Sequence, residues 1–183
     1  MQASVHPHPP LIVTAELPAP LQSWADALRR AHFPPERNHL RAHVTLFHAL
    51  PYHVLDEARA LMARIAGQNP PVDARLSDIM DLGGGTALRI DSPGLLALRD
   101  GIADHFHGLL SRQDDQVPRL HVTVQNKVLR KDAISLQSTL RETFVPRSFA
   151  FAGLALHHYM GGPWSDAGRW AFRGATRQRR KHA

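Results

Sequence analysis

The 183-residue chain contains no cysteine. Disulfides, thiolate nucleophiles and cysteine-ligated zinc are therefore excluded, and a reducing cytoplasm is the expected location. No apolar run approaches the ~18 residues of a membrane span, so no membrane partner is expected. Met1 to Pro10 holds no Lys or Arg and no long apolar stretch, so a secretory signal is not expected. Acidic residues are missing from 169–183, where Arg169, Arg173, Arg177, Arg179, Arg180 and Lys181 gather. Without that stretch, sixteen bases face sixteen acids, so the net charge of +6 belongs to the C-terminal end. A basic body tracking long nucleic acid is not indicated. Residues 175–183 read as a solvated basic tail. With 43% apolar and 21% charged residues, 1–174 reads as a single globular domain.

Hydrophobic periodicity orders the elements. Leu11 to Leu17 reads as a strand and Pro20 to His32 as a helix, with Leu21, Trp24, Ala25, Leu28 and Ala31 on one stripe. Leu40 to Leu50 is a strand. Leu55, Ala58, Leu61, Met62 and Ile65 mark a helix that Gly67 ends. Strands at Val72 to Leu82 and Thr86 to Asp91 flank Gly83-Gly84-Gly85. Ser92-Pro93 caps a helix whose stripe reaches Leu109. Arg119 to Asn126 is a strand, Ala133 to Phe144 a helix, and Phe149 to Tyr159 and Arg169 to Arg173 are late strands. Gly161-Gly162-Pro163-Trp164 reads as the loop between those two. The order strand–helix–strand–helix–strand thus occurs twice. We expect an α+β, bilobal chain of duplicated β-α-β-α-β units, with lobe one at 11–82 and lobe two at 86–174.

The second strand of each unit carries the same pattern: Arg41-Ala42-His43-Val44-Thr45 and Arg119-Leu120-His121-Val122-Thr123. Side chains at i, i+2 and i+4 share one face of a strand. Arg41, His43 and Thr45 should project together, as should Arg119, His121 and Thr123. A two-fold relation between the lobes would set the two faces across one cleft. Two imidazoles there can divide the work of phosphodiester hydrolysis, one taking a proton from water and the other protonating the leaving oxygen. The threonine hydroxyls can donate to non-bridging phosphate oxygens. A lone histidine would be read as a hydrogen-bonded core residue; the repeated pair favours chemistry.

The paired His-Val-Thr strands resemble the two-histidine (2H) phosphoesterase superfamily, in particular its 2′-5′ RNA ligase-like members. The family motif, His-x-Thr/Ser-x with apolar x, is matched by His43-Val44-Thr45-Leu46 and His121-Val122-Thr123-Val124. The resemblance runs from about Leu11 to Phe172. It implies two antiparallel sheets facing a central cleft. It also implies metal-independent hydrolysis of 2′,3′-cyclic phosphates or 2′-5′ phosphodiesters, with His43 and His121 catalytic and no cofactor. Relatives continue the first motif with Arg or Lys, Phe, Leu and Gly. This chain has Phe47-His48-Ala49-Leu50-Pro51, a departure that bears on substrate choice.

The remaining candidates stay open at this level. Arg41 and Arg119 either clamp phosphate at the cleft mouth or pair with surface carboxylates. Lys127 either reaches a phosphate or stays solvated. Tyr159 and Trp164 either stack on a nucleobase or pack at the rim. His157 and His158 are adjacent on a strand and face opposite ways, and no His-Glu-x-x-His occurs, so no metal site is expected. Gly83 to Gly85 lacks the Lys and helix of a phosphate loop. The expected partner is a nucleotide or an RNA end, bound by a monomer. The competing readings are a non-catalytic nucleotide or RNA-end binder and a metal-dependent hydrolase.

Overall fold

In the computed structural model the described residues are 8–175. The expected basic tail lies outside them from residue 176 onward. The first apolar run forms β1 (Leu11–Glu16), buried on both faces except at its last residue. α1 (Ala19–His32) starts after Pro18 with Pro20 in its first turn and stops before Pro34. Its buried stripe is Leu21, Ala25 and Arg29, so an arginine sits at the position that completes an apolar face. β2 (Val44–Leu50) follows, then α2 (Leu55–Gln68), β3 (Val72–Asp81) and β4 (Thr86–Asp91). α3 (Pro93–His105) is capped by the Ser92 hydroxyl, which accepts from the Leu95 N–H. It ends earlier than the stripe to Leu109 predicts. β5 (His121–Gln125), α4 (Arg130–Thr143), β6 (Arg147–Phe151), β7 (Gly153–Tyr159) and β8 (Trp164–Ala171) complete the chain.

The strands form two four-stranded antiparallel sheets, ordered β2-β1-β7-β8 and β5-β4-β3-β6. The α+β class and the duplicated order are as the sequence predicts. Sheet membership differs from the contiguous lobes 11–82 and 86–174. The third strand of each repeat crosses over: β3 pairs with β4, and β7 pairs with β1. The cause is the triple glycine, which is a hairpin turn and not a boundary. Leu82 N–H donates to the Gly85 carbonyl at 3.0 Å, which obliges β3 and β4 to pair. Gly83 has φ +82°, and a Cβ on Gly85 would run into the Gln125 carbonyl.

A second difference lies at Ala152. The expected single strand Phe149 to Tyr159 is two strands, one in each sheet. The Ala152 N–H donates to Glu16, and its carbonyl accepts from Phe172 N–H at 2.9 Å. Gly153, where a Cβ would collide with Trp170, lets the chain change sheets there. The late strand also begins sooner than expected, so Trp164 opens β8 rather than ending a loop.

One apolar cluster joins the two sheets, from Leu11 and Phe47 through Leu88 and Phe106 to Phe151. Phe47 of β2 is fully buried, with the Arg99 guanidinium of α3 4.6 Å from its ring centroid. Among the described residues no helix is long and apolar enough to cross a membrane. Because Phe47 sits where the halves join, Phe47→Ala should lower the unfolding free energy by about 3–5 kcal/mol in urea titrations. A loss below about 1 kcal/mol would contradict this placement.

Candidate functional site

β2 and β5 are edge strands of different sheets and lie side by side. In β5, and in β2 together with His43 just before it, half-buried residues alternate with buried ones: His43 and Thr45 against Val44 and Leu46, His121 and Thr123 against Val122 and Val124. The apolar set anchors each strand to the core and aims the polar set outward. All four polar side chains line one cavity of about 360 Å³.

The two imidazoles are fixed by the same local bond. His43 Nδ1 lies 2.7 Å from the Arg41 carbonyl, and His121 Nδ1 lies 2.6 Å from the Arg119 carbonyl. A carbonyl only accepts, so each Nδ1 carries the proton and donates. Each ring is thereby oriented, and Nε2 is the nitrogen left for chemistry.

The surroundings of the two rings differ. The Trp164 ring centroid is 4.6 Å from that of His43 and 5.2 Å from that of His157. Burial lowers the pKa of His43 to about 4, against the stabilising Arg41 carbonyl and with help from the positive charge of Arg29. Arg29 is itself buried. Its guanidinium donates to the Asn38 side chain at 3.1 Å, the Leu40 carbonyl at 3.2 Å and the Thr123 carbonyl at 2.8 Å. It thus ties α1 and the chain before the first motif to β5. The His157 ring lies 3.0 Å from the Thr14 hydroxyl and 3.3 Å from Asp166. Burial, followed by the Arg169 charge, lowers the His157 pKa as well.

The structure brings Arg119 and Trp164 into the cavity with the two histidines. It does not bring Arg41. The alternation does reach Arg41, with Ala42 buried between it and His43, but Asp26 on α1 draws its guanidinium away from the cavity. The Arg41 side chain is 73% exposed and pairs with Asp26 at 3.2 Å, at the edge of a neighbouring cavity of about 190 Å³. His43 and Trp164 form the partition between the two cavities. Tyr159 is 43% exposed and lines neither. Lys127 is exposed at φ 59° in the turn after β5 and lines neither cavity. Among the described residues, no three His, Asp or Glu side chains form a metal-binding group.

Three participants escape sequence reasoning. His48 lines the main cavity because β2 carries two bulges. The β1–β2 register shifts between Thr14 and Val13 and again between Val13 and Leu11. The first turns Phe47 into the core, away from the face of Thr45, and His48 emerges at the cleft. Asp114, in the 107–120 segment after α3, is 2% exposed. It accepts from the N–H groups of His48 and Ala49 and from His48 Nδ1. Burial alone would raise its pKa, but these donors outweigh that and lower it. Arg29 had a readable signal, a charge at i+8 on the stripe begun by Leu21; Asp114 had none.

A model of the 2′-5′ RNA ligase superfamily matches residues 17–163, a span that includes both His-Val-Thr strands. The chain belongs to this superfamily. Its members are two-histidine phosphoesterases or ligases. Solved structures similar to this member include TT0787 of Thermus thermophilus. That chain is 18% identical, with TM-score 0.61, over 91% of this chain and 100% of that one. E. coli LigT complexed with 3′-AMP is 20% identical with TM-score 0.54, over 90% and 98% of the two chains. LigT in apo form is 20% identical with TM-score 0.59, over 89% and 96%. At these identities the likeness shows the superfamily fold alone. No curated protein matches the chain significantly.

The distinct setting of His43 is open to direct measurement. Titration followed by NMR should show His43 as the Nδ1–H tautomer, with a midpoint near 4. A midpoint at or above the ordinary value of about 6.5 would contradict the burial argument.

Proposed function

We propose that this superfamily member is a metal-independent phosphodiesterase acting on 2′,3′-cyclic phosphates or 2′-5′ phosphodiester bonds of RNA ends or small nucleotides. The observation that carries this reading is the matched pair of Nδ1-anchored imidazoles on one cavity, each with a threonine two residues on. Among the described residues, the cavity lining contains no carboxylate, as suits an anionic substrate. Crystal structures of E. coli LigT complexed with 3′-AMP, NADP+ and ATP support a nucleotide ligand.

The chemistry divides between the rings. His43, neutral near pH 7 with Nε2 unprotonated, takes a proton from water. The water oxygen bonds to phosphorus as the P–O bond to the ribose oxygen breaks. His121, as imidazolium, passes its Nε2 proton to that leaving oxygen. The proton left on His43 returns to solvent and His121 recovers one, closing the cycle. Thr45 and Thr123 donate to the non-bridging oxygens, where charge builds up. Arg119 supplies positive charge at the cleft mouth, and Trp164 holds the His43 ring.

His43→Ala and His121→Ala should each lower kcat on a 2′,3′-cyclic nucleotide by about 10²–10⁴-fold, with EDTA leaving the wild-type rate unchanged. Wild-type rates in both folded variants would remove the acid–base assignment. Loss of activity in EDTA would favour a metal-dependent hydrolase, and saturable binding without turnover would favour a binding protein. The acid limb of kcat/KM should fall near pH 4, because activity is lost only when His43 itself gains a proton. An acid limb that disappears in His121→Ala but persists in His43→Ala would assign the base role to the other ring.

A further inference from the structure

His48 is unused by this scheme, although it lines the same cavity as His43 and His121. Its side chain is 44% exposed, and its Nδ1 is 3.0 Å from the buried Asp114 carboxylate. A carboxylate accepts, so Nδ1–H donates and Nε2 is the nitrogen left over. The ring is not needed to hold Asp114. One carboxylate oxygen already accepts from His48 N–H at 2.8 Å, and the other from Ala49 N–H at 2.9 Å. These backbone bonds pin the 107–120 segment to β2 whatever side chain stands at 48. What the imidazole–carboxylate bond adds is a fixed direction for His48.

We propose that His48, oriented by Asp114, binds a second phosphate of the substrate as imidazolium, with Nε2–H donating to it, beside the one that reacts. This rests on the phosphodiesterase reading above and narrows its substrate to nucleotides or RNA ends with a phosphate additional to the scissile one. Three observations lead there. The reacting phosphate is already served by His43, Thr45, His121 and Thr123, two residues from each strand. His48 enters the cavity beyond the bulge that follows Thr45, and its ring is held by Asp114 rather than by either His-Val-Thr motif. Arg119 lines the same cavity and pairs with no carboxylate among the described residues. The His48 imidazole, with Asp114 behind it, and the Arg119 guanidinium form a second anion-binding point.

The test uses the full chain and two ligands that differ by one phosphate, 3′-AMP and adenosine 3′,5′-bisphosphate, measured by calorimetry. In the wild type the 5′-phosphate should tighten binding about tenfold, the worth of one charge-assisted hydrogen bond. His48→Phe should abolish that gain and leave 3′-AMP binding within about twofold. His48→Ala serves if the larger ring disturbs folding, and circular dichroism checks both. Equal tightening in wild type and variants, equal weakening of both ligands, or no gain in the wild type would each overturn the proposal. Turnover of 2′,3′-cyclic AMP by the wild type is read separately. Its absence in the wild type would sink the phosphodiesterase reading, while the binding comparison would still decide the role of His48.

Discussion

Two short hydrogen bonds set the character of the cleft: His43 Nδ1–H to the carbonyl of Arg41, and His121 Nδ1–H to the carbonyl of Arg119. Each runs from a histidine to the backbone two residues earlier, so each half of the chain builds its own. Neither bond recruits a distant side chain. The bond selects one tautomer and frees Nε2, and the strand that follows places a threonine on the same face. Everything else in the fold brings these two self-contained units to one place. The exchange of β3 and β7 between sheets stitches the halves together, and Arg29 crosses from α1 to the Thr123 carbonyl.

Symmetry of the motif does not make the two imidazoles equivalent. His43 lies against Trp164 and near the Arg29 guanidinium, in a wall thick enough to remove much of its hydration. Burial disfavours the imidazolium, and a nearby positive charge disfavours it further. A duplicated scaffold has thus placed like groups in unlike environments. That is the condition under which one residue type serves as both acid and base.

What the sequence displayed and what it hid divide along the range of the interactions. The His-Val-Thr strands were readable because strand alternation is local: Val44 and Val122 go inward, so their neighbours go outward. The duplicated order was readable for the same reason. Sheet membership was not, because pairing partners of β3 and β7 are chosen by the Gly83–Gly85 hairpin and by the crossing at Ala152. Trp164 looked like loop because Gly161-Gly162-Pro163 precedes it, yet it opens β8 and lies against His43. Arg41 looked like a cleft residue because it alternates with His43, yet Asp26, fifteen residues earlier, draws it aside. Asp114 is a polar residue among other polar residues. Only the backbone of His48 and Ala49, far off in sequence, makes it structural.

The account stands on both Nε2 atoms converging on one substrate phosphate. A crystal structure with inorganic phosphate in the cleft measures this directly. The account predicts a single anion within hydrogen-bond distance of Nε2 of both His43 and His121, with the Thr45 and Thr123 hydroxyls on its remaining oxygens. An anion held by only one of the rings, or seated instead in the neighbouring cavity beside Arg169, would contradict it.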